Sequence, residues 1–156
     1  MDKRAALQGM IAAMRHELNS TAAASRDAAA YATDEEAKAR EKYETQGLEA
    51  SYLARGQAAH AEEIAQAIVS LEAMLSGESK PSETVGLGSL VHVSLGGGEE
   101  WFLIGKLGGG EVIPFDGHEL TLITPHSPVA TAMDGLPAGS EFQLPNGLRG
   151  EVLSVH

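Results

Sequence analysis

Ile123-Thr124-Pro125-His126-Ser127-Pro128-Val129-Ala130-Thr131-Ala132-Met133-Asp134-Gly135 reads as a strand end, a turn and one short helix. Ser127 is an N-cap residue, because its hydroxyl can accept one of the backbone N–H groups that a helix start leaves without a partner. Pro128 then falls at the first helical position, where its missing N–H costs nothing. Hydrophobic runs of strand type lie on both sides of this segment. Leu90-Val91-His92-Val93-Ser94-Leu95, the turn Gly96-Gly97-Gly98 and Trp101-Phe102-Leu103-Ile104 read as one hairpin. Val112-Ile113 and Leu120-Thr121-Leu122-Ile123 follow a second glycine triplet, Gly108-Gly109-Gly110, which also reads as a hairpin turn. Phe142-Gln143-Leu144, the turn Pro145-Asn146-Gly147 and Val152-Leu153-Ser154-Val155 read as a last hairpin. The expectation for residues 85–156 is a small antiparallel sheet carrying one short helix.

The half before Ser76 has a different composition. It holds twenty-one alanines and no proline, whereas all six prolines and fifteen of the eighteen glycines follow it. Leu7, Ile11, Met14, Leu18, Thr21, Ser25 and Ala28 recur at the alternating spacings of four and three that make a coiled-coil seam. Ile64, Ile68, Leu71 and Leu75 repeat the spacing near the far end. Two such segments fold back most simply as an antiparallel helical hairpin. Each arm would be on the order of 45 Å long at 1.5 Å per residue. Thr33 or Asp34 could cap a helix, with Glu36 completing a capping box, which places the tip between Thr33 and Arg40. Gly47 offers a second turn. The fold class is therefore α+β: coiled coil over residues 1–76, linker over 77–84 and sheet domain over 85–156. Gly77 and Pro81 serve to stop the helix.

Eleven basic and twenty-two acidic residues give a net charge of −11. That argues against gripping a phosphate backbone, a task carried largely by Lys and Arg. An acidic factor can still bind a polymerase rather than its template. Cysteine is absent, which excludes disulfides and thiolate zinc sites. No segment has the form of a secretory signal or a membrane span, so a cytoplasmic location is expected. His16, His60, His92, His118, His126 and His156 are scattered without metal-ligand spacing. The glycine triplets lack phosphate-loop order. Trp101, Phe102 and Phe142 read as sheet core.

From Ile123 through Ser127-Pro128, Ala132-Met133 and Gly135, then Gly139-Ser140-Glu141-Phe142, Pro145-Asn146-Gly147 and Val152 to Val155, the sequence resembles the C-terminal domain of the Gre family of bacterial transcript cleavage factors. It has the look of a divergent subgroup. Asp134 stands where the family commonly has a basic residue, and the usual tip letters are not reproduced. The resemblance implies an FKBP-like sheet domain that docks on RNA polymerase, with Ser127, Pro128, Ala132 and Gly135 as its signature. It also implies a coiled coil that enters the polymerase's secondary channel and meets nascent RNA only indirectly.

On that reading Asp34, Glu35 and Glu36 help hold a Mg²⁺ of the polymerase active site, with Glu41 and Glu44 in reserve. A hard cation takes oxygen ligands and lowers the pKa of its bound water, which then attacks the RNA. The factor would supply no nucleophile, bind no metal stably, need no cofactor of its own, act as a monomer and be no enzyme. Lys38, Arg40, Lys42 and Arg55 read first as salt-bridge partners of neighbouring acids, and Tyr31, Tyr43 and Tyr52 as packing residues. Two other readings fit the same residues: a channel regulator that inhibits without cleavage, and a helical-hairpin adaptor for an unrelated protein.

Overall fold

A computed structural model describes the backbone of residues 2–39, 44–78 and 81–156, and the side chains of these except 22–52 and 54. Two long helices come first, α1 (Lys3–Ala39) and α2 (Glu44–Ser76). Six strands and one short helix follow: β1 (Leu90–Leu95), β2 (Gly98–Ile104), β3 (Val112–Phe115), β4 (His118–Ile123), α3 (Pro128–Met133), β5 (Glu141–Gln143) and β6 (Arg149–Val155). The class is α+β. The chain forms two compact units, one of residues Met1–Ala13 with Ala67–His156, the other of Met14–Gln66.

The helices pair antiparallel. Within the second unit His60 Nε2 meets Glu17 Oε1 at 3.2 Å, and within the first Arg4 donates to the Leu75 carbonyl at 3.5 Å. Both pairs are centred close to residue 39, which agrees with α1 ending at Ala39. The capping-box reading is corrected here: α1 runs through Thr33, Asp34, Glu35 and Glu36 without interruption. The run around Thr33 continues the helix instead of starting one. Gly47 likewise lies inside α2, which begins at Glu44. At the other end α2 stops at Ser76, and the Gly77 N–H closes on the Ala73 carbonyl at 3.1 Å.

The sheet has the order β3-β4-β2-β1-β6-β5. It is mixed rather than wholly antiparallel, because β2 and β4 run parallel with Trp101 beside Leu120 and Ile104 beside Ile123. The cause lies in the second glycine triplet, which is not a hairpin turn. The chain leaving β2 crosses the end of β4, with Gly105 and Gly110 donating to the Ile123 and Leu122 carbonyls. It then forms the edge strand β3 and returns as β4, in the direction of β2. Gly109 lies on that crossing, where a Cβ would come within 3.2 Å of Thr124 Cγ2. The first triplet does make a hairpin, since Gly96 and Gly97 both take positive φ, as a two-residue turn of that kind demands.

Alternation divides the sheet into two apolar faces. Val91, Val93, Leu95, Phe102, Ile104, Ile123, Phe142 and Val152 join Val85 and the Ala130 and Met133 side chains of α3 in one core. On the opposite face Leu90, Leu103, Leu120 and Leu122 are fully buried, and so are Ala6, Met10, Ala67 and Leu71 at the closed ends of the helices. The predicted seam residues Leu7, Ile11, Met14, Ile64, Ile68 and Leu71 are buried, but Ala6, Met10 and Ala67 form no part of that seam. The helix ends bury an additional stripe. Gly9 marks where α1 meets the sheet, since a Cβ there would lie 3.4 Å from Ile113 Cδ1 and 3.8 Å from Phe115 Cδ2.

Gly9 is a helical position with room for one methyl group and no more. Gly9→Ala is expected to leave stability unchanged or raise it by up to about 1 kcal/mol through helix propensity. Gly9→Leu should lower it by about 1–3 kcal/mol by overpacking. Urea denaturation of the two variants measures the difference.

Candidate functional site

The Ser-Pro segment folds as its residue types require. Ser127 has extended backbone, and its Oγ accepts the Ala130 N–H at 3.1 Å, with Pro128 next at the helix start. The Ser127 carbonyl takes the Thr131 N–H at 2.9 Å, and the Thr131 hydroxyl donates back to the Pro125 carbonyl at 3.2 Å. Ala130 and Met133 are buried in the sheet core, and Ala132 packs at its margin. Gly135 has φ of +75°, a conformation that only glycine adopts at little cost. Its N–H donates to the Val85 carbonyl at 2.8 Å, and the Val85 N–H returns a bond to Leu136 at 2.9 Å. Thus Ser127, Pro128, Ala132 and Gly135 build α3 and fasten the segment around Val85 to its exit. Pro128 stays exposed beside Pro125 and His126. These exposed residues, rather than the buried ones, form the outer surface of the signature.

The acids proposed for the tip occupy one end of the helix pair. Asp34, Glu35 and Glu36 are consecutive positions near the C-terminus of α1, stepping about 100° each around its axis. A helix C-terminus carries negative partial charge, so acids there are disfavoured unless a cation or partner offsets them. Glu44 is the first residue of α2, where the dipole favours it. Glu41 lies outside the described residues, as do Arg40, Lys42 and Tyr43, and so do the side chains of Asp34, Glu35, Glu36, Glu44, Tyr31, Lys38 and Tyr52.

The sheet unit holds a cluster that sequence reasoning did not assemble. His92 stacks on Trp101 with ring centroids 4.1 Å apart and planes 2° from parallel. Its Nε2 meets Glu99 Oε2 at 3.0 Å. His118 lies tilted on the same indole at 6.1 Å. The signal was present in the pairing of β1 with β2, which sets His92 opposite Trp101. Trp101 is buried as core, and its Nε1 has no hydrogen-bond partner. Among the described residues no three His, Asp or Glu side chains converge as a metal site. Lys3 donates to the His156 carbonyl at 3.4 Å, and burial holds its amine below the usual lysine range.

Around the rim where β1 begins and β2 and β4 end, Leu87, Leu107 and Val112 are exposed. Near the opposite end, an open groove is lined by Ser94, Glu141, Phe142, Gln143, Arg149 and Glu151. No helix among the described residues is long and apolar enough to cross a membrane.

These features define an α+β protein with a long antiparallel helix pair and a sheet unit closed by a capped helix. No protein-family model matches the chain, and no curated protein does. Among solved structures it is similar to GreA factor homolog 1 (Gfh1) of Thermus thermophilus, at 23% identity over 98% of this chain and 94% of that one, with a TM-score of 0.35. It is also similar to Gfh1 of Thermus aquaticus, at 23% identity over 91% and 93% of the two chains, with a TM-score of 0.36. A third structure, of the transcription factor Gfh1, shares 25% identity over 95% and 94%, with a TM-score of 0.35.

The geometry of α3 separates residues that hold the helix from those at its surface. Ser127→Ala removes the cap and should cost about 0.5–2 kcal/mol of stability. Pro128→Ala, at an exposed position, should stay within about 0.5 kcal/mol of wild type. Thermal unfolding of both variants tests the assignment.

Proposed function

We propose that this chain is a Gre-like transcription elongation factor that binds bacterial RNA polymerase through residues 85–156. Its helix pair enters the secondary channel and stimulates the polymerase's own cleavage of backtracked RNA. The observation that carries the reading is the Ser127-Pro128 to Gly135 signature, folded as a capped helix on a small sheet and preceded in the same chain by a long antiparallel helix pair. The acids Asp34, Glu35 and Glu36 lie near the end of α1, with Glu41 and Glu44 following in sequence, where the pair turns back.

In this reading the chemistry belongs to the polymerase. A Mg²⁺ held there would supply the chemistry by lowering the pKa of a bound water. Carboxylates of Asp34, Glu35 and Glu36 would contribute oxygen ligands of the kind such a cation takes. Their position on α1 suits the role, because a bound cation relieves the repulsion between adjacent acids and the helix C-terminal dipole. The chain contributes positioning and charge, and no nucleophile. It acts in the cytoplasm, where the polymerase is.

A second reading is favoured by one specific observation: Asp34, Glu35 and Glu36 sit on successive helical positions rather than in a loop. Successive positions on a helix do not face one another. A factor that fills the channel without completing the metal site would inhibit transcription and cleave nothing.

The test is RNA cleavage by a stalled, backtracked polymerase with and without the chain. Shortened transcripts are expected with wild type. A rate lower by about tenfold or more, near 1.4 kcal/mol of lost transition-state stabilisation, is expected for Asp34/Glu35/Glu36→Ala. Absence of shortening with wild type, or full activity in the triple variant, overturns the cleavage reading. Inhibition without cleavage selects the second one. Failure of the chain to retain polymerase in a pull-down removes both and leaves an adaptor for another protein.

A further inference from the structure

We propose that Asn146 is a site of spontaneous chemical modification, at which the β5–β6 turn converts from asparagine to aspartate or isoaspartate. The chain has two asparagines, Asn19 and Asn146, and the structure places them in opposite environments. Asn19 lies within α1, where helical geometry keeps its side chain from closing on the following peptide nitrogen. Asn146 is exposed at a hairpin tip and is followed by Gly147.

Three features of that tip favour ring closure. The Asn146 Oδ1 accepts the Leu148 N–H at 3.0 Å, which folds the side chain over the intervening peptide in the manner of an Asx turn. The same N–H polarises the side-chain carbonyl and stands ready to stabilise the oxyanion formed when it is attacked. Gly147 offers no Cβ to shield its nitrogen. A Cβ built there would find its nearest neighbour, Gln143 Nε2, at 3.9 Å.

In the reaction the Gly147 peptide nitrogen loses its proton and bonds to Asn146 Cγ. The Cγ–Nδ2 bond breaks, and Nδ2 leaves as ammonia, giving a five-membered succinimide. Water then opens either carbonyl, so the sum is one water consumed and one ammonia released. No oxidant or cofactor takes part.

One contact sets the pace. The Gly147 N–H donates to the Leu144 carbonyl at 2.9 Å and closes the turn that begins at Leu144-Pro145. That proton is released only when the turn opens, so conversion follows local opening of the hairpin rather than global unfolding. Opening at the tip is within reach because β5 is a three-residue edge strand. The product adds a carboxylate to the β5–β6 turn. Isoaspartate also lengthens the backbone inside the turn that fixes the β5–β6 register.

The experiment uses the full chain, incubated at mildly alkaline pH and sampled over days. Peptide mapping by mass spectrometry, with fragmentation that distinguishes aspartate from isoaspartate, reads each site. Acid and isoaspartate should accumulate at Asn146 on the order of tenfold faster than at Asn19. Gly147→Ala places a methyl group beside the attacking nitrogen and should slow conversion at Asn146 by a similar factor, even though alanine is strained at the φ of +89° there and eases opening of the turn. Asn146→Gln should show almost no acid at residue 146, because its longer side chain closes a less favourable ring while the Gly147 turn is kept. Equal rates at the two asparagines, or wild-type conversion in both variants, overturn the proposal.

Discussion

A sheet that is apolar on both faces needs two covers, and that requirement organises the molecule. One face of the six-stranded sheet is closed by α3 and by Val85. The other carries Leu90, Leu103, Leu120 and Leu122, each fully buried. Burying a leucine side chain contributes roughly 1.5–3 kcal/mol, so four of them exposed together would cost a small unit much of its stability. The same compact unit includes residues Met1–Ala13 and Ala67–Ser76, the two closed ends of the helix pair. The helices are therefore partners in the sheet's core as well as of each other. Gly9 is where the first of them comes close enough to touch Ile113 and Phe115.

This shared core explains what the sequence made legible and what it hid. The heptad seam of Leu7, Ile11 and Met14 announced helix against helix. The additional burial of Ala6 and Met10 did not show, because alanine and methionine next to a seam look like its shoulders. The strand runs were readable from alternation, yet the parallel pairing of β2 with β4 was not, since nothing local to Leu120–Ile123 records its neighbour. What decides that pairing is the crossing at Gly105 to Gly110, whose composition is that of any glycine-rich turn. The capping box at Thr33 to Glu36 failed for a related reason. A local start signal is worth about a kilocalorie per mole, too little to interrupt a helix of 37 residues.

The Ser-Pro segment was the clearest mark of identity in the sequence, and the fold assigns its letters specific work. Ser127 caps, Pro128 starts the helix, and Gly135 turns the chain back to Val85. The candidate site was legible only by resemblance. Asp34, Glu35 and Glu36 look like any solvated acidic run until α1 is seen to end at Ala39, a few residues beyond them. The histidine–tryptophan stack required the β1–β2 register, which no motif encodes.

Under the proposed function, the end of the helix pair near Ala39 and Glu44 enters the interior of RNA polymerase. Site-specific photo-cross-linking from residue 44, the first of α2, to purified bacterial core polymerase tests it most directly. The account predicts adducts to the polymerase subunits that line the secondary channel, lost on competition with unlabelled chain. Adducts confined to the polymerase exterior, or none at all while the chain remains folded, would contradict it.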